Sequence, residues 1–394
     1  MNKKTILSIV GVIIGCNLLI ASSFTAIFVS INPSAADYAF GNNSGAANIW
    51  NTNPLSVWSN PAKLGYHKNF SFGYSHDPWF DKVFDDMYHI SSYMSYGFSG
   101  IGVLFPVYSA RNRFGTVMSY GERAYTDEEG NIIGTYETYD AVSTFALGVN
   151  TVEFLSNIYG GDLFNKILPY GELSFGASYD YIDTFMGSED VASTSIDPIP
   201  ETDTGHRLNY GLIGRVSPIN TKLKGVDFIN LDLVLSYHFI NPAKSTIKYR
   251  LDSEEGEDEL PWGRTDAFSV KLAITSDILK DIVEDDLFYK ISKNLFSVYY
   301  SEDKSAYGDK EDVLGEGVEL TFLDIFSIRR GEYEDHQGEI VGETRGYGFR
   351  FHYDDIVEFQ YNRSSFPGGG LQTRQSKWDI GFNADLIALY NLVR

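Results

Sequence analysis

Along most of this chain apolar and polar residues alternate one for one. Leu173, Phe175, Ala177, Tyr179 and Tyr181 are interleaved with Ser174, Gly176, Ser178 and Asp180. Leu231–Phe239, Phe70–Tyr74 and Val357–Tyr361 repeat the pattern. Side chains on a strand point to opposite faces with a period of two, so each such run has one greasy and one polar face. Fifteen runs of this kind are expected between residues 68 and 387, among them 88–98, 100–109, 115–125, 264–275 and 377–387. Many strands with one apolar face predict an all-β fold, a transmembrane antiparallel β-barrel. Bacterial barrels have even strand numbers, which predicts about 14 strands, with one early run belonging to a plug or a loop.

Two segments break the alternation near the start. Lys3 and Lys4 precede an apolar run from Thr5 to about Ile31, and Ser34-Ala35-Ala36 supplies small residues of the kind signal peptidase accepts. Residues 1–36 are therefore expected to be a signal peptide, with an uncleaved anchor or lipidation at Cys16 as the other outcomes. Residues 37–66 are rich in Asn, Ser, Ala, Trp and Pro. They predict a compact N-terminal plug with short helical turns, lying in the barrel lumen. Residues 67–394 are then the outer-membrane barrel. Within it, 277–291 has helical spacing at Ile278, Ile282 and Leu287, and 254–259 reads as an acidic loop. Loops are also expected at 127–131, 187–205, 302–313 and 367–370. Gly97, Gly100 and Gly102 mark either a strand kink or a tight turn.

Composition sharpens this picture. Aromatic residues make up 15% of the 394 residues, with 27 Tyr and 27 Phe, as suits girdles at two membrane interfaces. Mean hydropathy is −0.18, too polar for a helical membrane protein but not for a barrel. The formal charge of −22 argues against nucleic acid as a partner. Cys16, within the leader, is the single cysteine, which excludes disulfides and thiolate metal sites from the mature chain.

Candidate chemistry is sparse. The seven His have no metal-ligand spacing, and His76-Asp77 lacks a GxSxG nucleophile to complete a triad. Arg329 and Arg330 are expected to pair with the acidic stretch 332–335. Glu358, Arg350 and Asp379 should face the lumen, because a lipid-facing charge near the midplane costs roughly 2–4 kcal/mol. No catalytic, cofactor-binding or metal residues are expected, and no cofactor. The candidate site residues are structural: Asn60, Pro61 and Ala62 of the plug. Pro61 fixes a turn and Asn60 caps it or binds lumenal backbone groups.

Asn60-Pro61-Ala62-Lys63-Leu64-Gly65 resembles the segment near the start of FadL-like outer-membrane proteins. Three further stretches look most like the PorV/PorQ family within that group. They are Gly134-Thr135-Tyr136-Glu137-Thr138-Tyr139-Asp140, Gly317-Val318-Glu319 with Ser327-Ile328-Arg329-Arg330-Gly331, and Gly342 to Phe349. The resemblance implies a 14-stranded barrel with its N-terminal segment inside, placed in the outer membrane after Sec export. For PorV/PorQ-type proteins it implies non-enzymatic help in type IX secretion or surface attachment, with secreted cargo or secretion components as partners. The alternative is a FadL-like channel for hydrophobic small molecules. Outer-membrane lipid is the partner in either case. The chain departs from the usual pattern by running a few residues beyond its last alternating strand, to Arg394.

Overall fold

The computed structural model describes residues 27–393 other than 42–44, 79–85, 127–128, 130, 160–165, 169, 186–200, 203, 224–225, 252–253, 281, 284–285, 309–311, 336–339, 355 and 368–373. The described strands are β1 (Asn69–Pro78), β2 (Met87–Phe98), β3 (Ile101–Pro106), β4 (Tyr108–Ala110), β5 (Arg113–Thr126), β6 (Ile132–Asn150), β7 (Gly171–Phe185), β8 (Glu201–Thr202), β9 (Gly205–Leu223) and β10 (Val226–Ile240). They continue with β11 (Thr246–Leu251), β12 (Glu254–Glu259), β13 (Gly263–Thr275), β14 (Asn294–Tyr307), β15 (Val313–Phe322), β16 (Phe326–Asp335), β17 (Ile340–Tyr353), β18 (Val357–Pro367) and β19 (Arg374–Ala384).

Every pairing is antiparallel, and the sheet closes on itself. Tyr74 of β1 faces Ser92 of β2 on one side and Ile380 of β19 on the other. Closure leaves no unpaired sheet edge, which a wall facing hydrocarbon requires. β3 and β5 occupy a single place in the wall between β2 and β6, so the barrel has 14 strand positions. The two sequence runs at 100–109 and 115–125 are the halves of that one strand, and neither belongs to the plug.

The alternation partitions as expected. Along β6, Thr144 and Ala146 are buried while Phe145 and Leu147 are exposed. Phe175, Tyr210, Leu235, Phe239, Leu272, Phe349 and Phe359 extend the exposed apolar surface around the barrel. A contiguous apolar belt of this kind is stable only against lipid, so the barrel spans a membrane through its strands. Among the described residues no helix is long and apolar enough to cross a membrane.

Some expected connections differ. The acidic run at 254–259 is β12, paired with β11 in a hairpin that also takes up β8. Residues 302–307 continue β14, leaving only a short connection to β15. Residues 276–291 form two short helical pieces, a 3-10 turn at Ser276–Leu279 and a helix at Asp286–Ile291, rather than one amphipathic helix. Beyond β19 the chain forms a helix at Leu386–Val393, which accounts for the residues past the last strand. Arg329 and Arg330 point to opposite faces: Arg329 Nε pairs with Glu319 at 2.5 Å and Arg330 with Glu343 at 2.5 Å, neither with 332–335. The expected loop tips at 127–131, 187–205 and 367–370 lie largely outside the described residues, as do the leader features Lys3, Lys4 and Cys16.

Candidate functional site

The lumen is filled by residues 27–41 and 45–66. Short turns follow one another there: a 3-10 turn at Ile27–Ser30, helix α1 (Ala35–Tyr38), and 3-10 turns at Pro54–Ser59 and Pro61–Tyr66. The last two begin with proline, whose missing N–H is not needed at a first helical position. Each is preceded by an asparagine cap. Asn53 Oδ1 accepts from Leu55 N at 3.1 Å, and Asn60 Oδ1 from Ala62 N at 2.8 Å. Asn60 also reaches the wall, its Nδ2 donating to Ser236 Oγ at 2.8 Å and to the Tyr237 carbonyl at 3.1 Å. Ser174 Oγ donates to the Ala62 carbonyl at 2.6 Å. Asn60, Pro61 and Ala62 are thus brought together at one point of contact between plug and wall.

The inner wall is dominated by small polar residues, including Ser71, Ser91, Ser178, Ser269 and Ser301, all buried. Small side chains leave the volume the plug occupies, and their hydroxyls bond its backbone. Four buried charges strengthen the attachment. Lys377 Nζ donates to the Asn32 carbonyl at 2.6 Å, lies 3.6 Å from Asp77 and sits 3.9 Å over the Tyr38 ring. Asp379 accepts from Ala35 N at 2.6 Å and from Asn53 Nδ2 at 3.3 Å. Asp303 accepts from Ala46 N at 3.0 Å. Arg207, paired with Asp180 at 2.6 Å, donates to the Val29 carbonyl at 3.1 Å. Within the plug, Lys63 donates to the Gly45 carbonyl at 2.7 Å. Burial pulls the Lys63 ammonium below its ordinary range, with Asp37 and Asp303 acting against the shift. Burial, with Lys63 adding to it, pushes His67 down to about 3, so its ring is neutral beside Ser95.

Residues 27–36, which the sequence assigns to the leader, carry part of this attachment. Phe28 and Val29 are buried in a cluster with Met118, Val142 and Ile182. Cleavage after Ala36 would remove the bonds of Lys377 to the Asn32 carbonyl and of Asp379 to Ala35 N and Ala36 N, at roughly 1 kcal/mol for each lost bond, and would take Phe28 and Val29 out of the core. The mature barrel is therefore expected to begin before Phe28, which N-terminal sequencing of purified protein would read directly; a start at residue 37 would refute this.

A second feature lies in the wall itself. β3 pairs with β6 up to Leu104↔Ala146, and β5 resumes at Thr116↔Val142. Between them residues 107–114 leave the wall as a small hairpin built on β4 and the start of β5. On the β2 side Tyr93↔Pro106 is followed directly by Ser92↔Gly115. The composite strand therefore stays in register with β2, while Ser143, Thr144 and Phe145 of β6 pair only with β7 and have no ladder partner on the β3/β5 side. This break lies at 106–115; Ser99 and Gly100 form only the tight turn between β2 and β3. Sequence reasoning missed the break because Pro106 and Gly115 were the only signals, and each also suits an ordinary turn.

Outside the break is a dent of about 460 Å³ lined by Met94, Phe105, Pro106, Phe114, Phe145 and Tyr181. Inside it, Tyr93, Leu104 and Ala146 of the wall pack against Leu55, Val57 and Leu64 of the plug. The Tyr93 hydroxyl closes the gap, donating to the Val142 carbonyl at 3.2 Å. Apolar groups thus meet across the interrupted ladder.

The remaining sequence candidates separate. His76 stacks between Trp378 and Tyr88 on the outer face, while Asp77 points inward to Lys377, so the two form no dyad. Asp379, Glu358 and Arg350 face the lumen side, as the cost of lipid-facing charge requires. Among the described residues no cluster of His, Cys, Asp or Glu is placed to hold a metal ion.

No family model and no curated protein matches the chain, so the PorV/PorQ likeness remains one of motifs. Solved structures with similar folds include the toluene transporter TodX of Pseudomonas putida, at 10% identity and TM-score 0.37, covering 93% of this chain and 98% of that one. The toluene transporter TbuX of Ralstonia pickettii is similar at 10% identity and TM-score 0.38, covering 91% and 99%. Outer membrane phospholipase A from Escherichia coli is similar at 10% identity and TM-score 0.30, covering 81% and 94%. At these scores the similarity extends to the barrel fold alone.

Proposed function

We propose that the protein is a non-enzymatic outer-membrane channel for small hydrophobic molecules, which cross the wall sideways at the broken strand. The observation that carries this is the interrupted β5–β6 ladder with apolar residues on both sides of it. The dent around Phe105, Phe114 and Phe145 faces lipid, and Leu55, Val57 and Leu64 lie behind Tyr93. A hydrophobic solute gains by staying in apolar surroundings along this route, roughly 25 cal/mol per Å² of apolar surface kept from water. The plug blocks the straight path through the polar lumen, which would suit such solutes poorly.

Because Pro106 and Gly115 are already neighbours in the β2 register, excising residues 107–114 should join β3 to β5 and complete the β6 ladder without a register shift. Uptake of radiolabelled toluene into cells expressing this variant is expected to fall at least tenfold, with the barrel still folded by heat-dependent gel mobility. Unchanged uptake by a folded variant would refute the sideways route. Native protein recovered with secreted proteins bound, and no uptake, would favour the type IX secretion role instead.

A further inference from the structure

A cavity of about 340 Å³ lies at the end of the lumen where β13 runs into its connection to β14 and β17 into its turn to β18, away from the broken strand. Its volume falls within the range of small-molecule sites. The plug contributes Trp50 and Tyr66 as an apolar wall, and the barrel contributes Lys271, Arg350 and His352.

The charges around this cavity are unevenly satisfied. Asp324 accepts from Asn294 N at 2.7 Å and from its Nδ2 at 3.0 Å. Glu358 accepts from Thr52 Oγ1 at 2.6 Å and faces Arg350 at 3.9 Å. The more distant acids that Lys271 senses are Glu319 and Asp232. Glu319 is held by Arg329 at 2.5 Å, and Asp232 by Ser217 and by Arg215 at 3.8 Å. Lys271 is left over. Among the described residues its ammonium makes no hydrogen bond or ion pair; it lies 5.1 Å from the Trp50 ring centre. His352, buried at 6% exposure, likewise has no partner for Nε2. Asp324 is the acid that acts most on Lys271 but does not touch it, and a partly buried cation or polar atom with no bonded partner is unfavourable. Both groups line the same cavity.

We propose that this cavity binds a small organic monoanion, a carboxylate whose charge is met by Lys271 and the His352 Nε2–H, with a flat apolar body against Trp50 and Tyr66. One anion satisfies both orphaned groups, and the aromatic wall supplies the apolar contact. The site does not depend on the channel reading, since equilibrium binding is measured without transport.

The test is calorimetric titration of the full-length barrel in maltoside detergent with 2-naphthoate and with its neutral isostere 2-naphthamide. Naphthoate is expected to bind at least tenfold more tightly than naphthamide. Lys271→Met is expected to remove that preference while leaving the unfolding midpoint unchanged or higher, since a partly buried ammonium with no bonded partner is gone. Equal affinity for the two compounds, or a preference that survives in a folded Lys271→Met protein, would overturn the proposal. Should Lys271→Met fail to fold, His352→Phe serves in its place, with a weakened preference expected and an undiminished one overturning it.

Discussion

Replacing Lys377 with methionine is expected to lower the unfolding free energy of the barrel by roughly 3–5 kcal/mol, the usual cost of breaking a buried pair from one side. Lys377 and Asp77 are fully buried, 0% and 1% exposed, so water cannot take over the charge that remains. The ammonium also ties the wall to the plug through the Asn32 carbonyl at 2.6 Å and the Tyr38 ring. Methionine keeps the volume and the contact with Tyr38 but supplies no donor. Asp77 would then lose the Lys377 ammonium, and the Asn32 carbonyl would lose that donor. Adding Asp77→Asn should recover most of the loss, because the buried carboxylate charge that Lys377 faced is removed as well. Urea unfolding of barrels refolded into lipid vesicles, followed by tryptophan fluorescence, measures both steps. A loss under about 1 kcal/mol for Lys377→Met would mean the plug is not held this way.

The outer face of this barrel was legible in the sequence, and the inner architecture only in part. Alternation such as Leu231–Phe239 reports strand period and facing directly, because lipid exposure admits few substitutes for apolar side chains. The plug was legible because residues 37–66, rich in Asn, Ser, Ala, Trp and Pro, break the alternation and Asn60-Pro61 is a local capping signal; the matching cap at Asn53-Pro54 was not read. What joins plug to wall was not. Lys377 meets Asn32 and Asp379 meets Ala35 across hundreds of residues, and nothing local distinguishes these charges from solvated ones. The break at 106–115 escaped for another reason. Runs 100–109 and 115–125 each alternate properly, and alternation cannot tell two strands from two halves of one. That Lys271 has no hydrogen bond or ion pair became visible only in the folded cavity, where Asp324 is held by Asn294 and Glu358 by Thr52.

Introducing a methyl group at Gly176 is expected to open the closed lumen, while the same change at Gly214 is expected to do nothing. Gly176 lies on β7 where the plug touches the wall, and a Cβ there would fall 2.3 Å from Ala62 N and from the Pro61 carbonyl carbon. Both are backbone atoms, so no rotamer relieves the clash and the plug must shift. Asn60 would be drawn away from Ser236 and Tyr237, and Ser174 from Ala62, loosening the contact that the Asn60-Pro61-Ala62 segment makes. Overpacking of this kind costs about 1–3 kcal/mol. Gly214, on neighbouring β9, has nothing within 4 Å of its Cβ position and controls for the substitution itself. In planar bilayers the unmodified protein and Gly214→Ala should be silent or nearly so, and Gly176→Ala should show stepwise openings. Asn60→Ala with Pro61→Ala should act in the same direction by removing the cap and the fixed turn without a clash. If both plug variants fold and conduct no more than the unmodified protein, the 60–62 contact does not hold the plug. Attachment would then rest on the charged contacts at Lys377, Asp379 and Asp303, which reach Asn32, Ala35, Ala46 and Asn53 and leave 60–62 free to move.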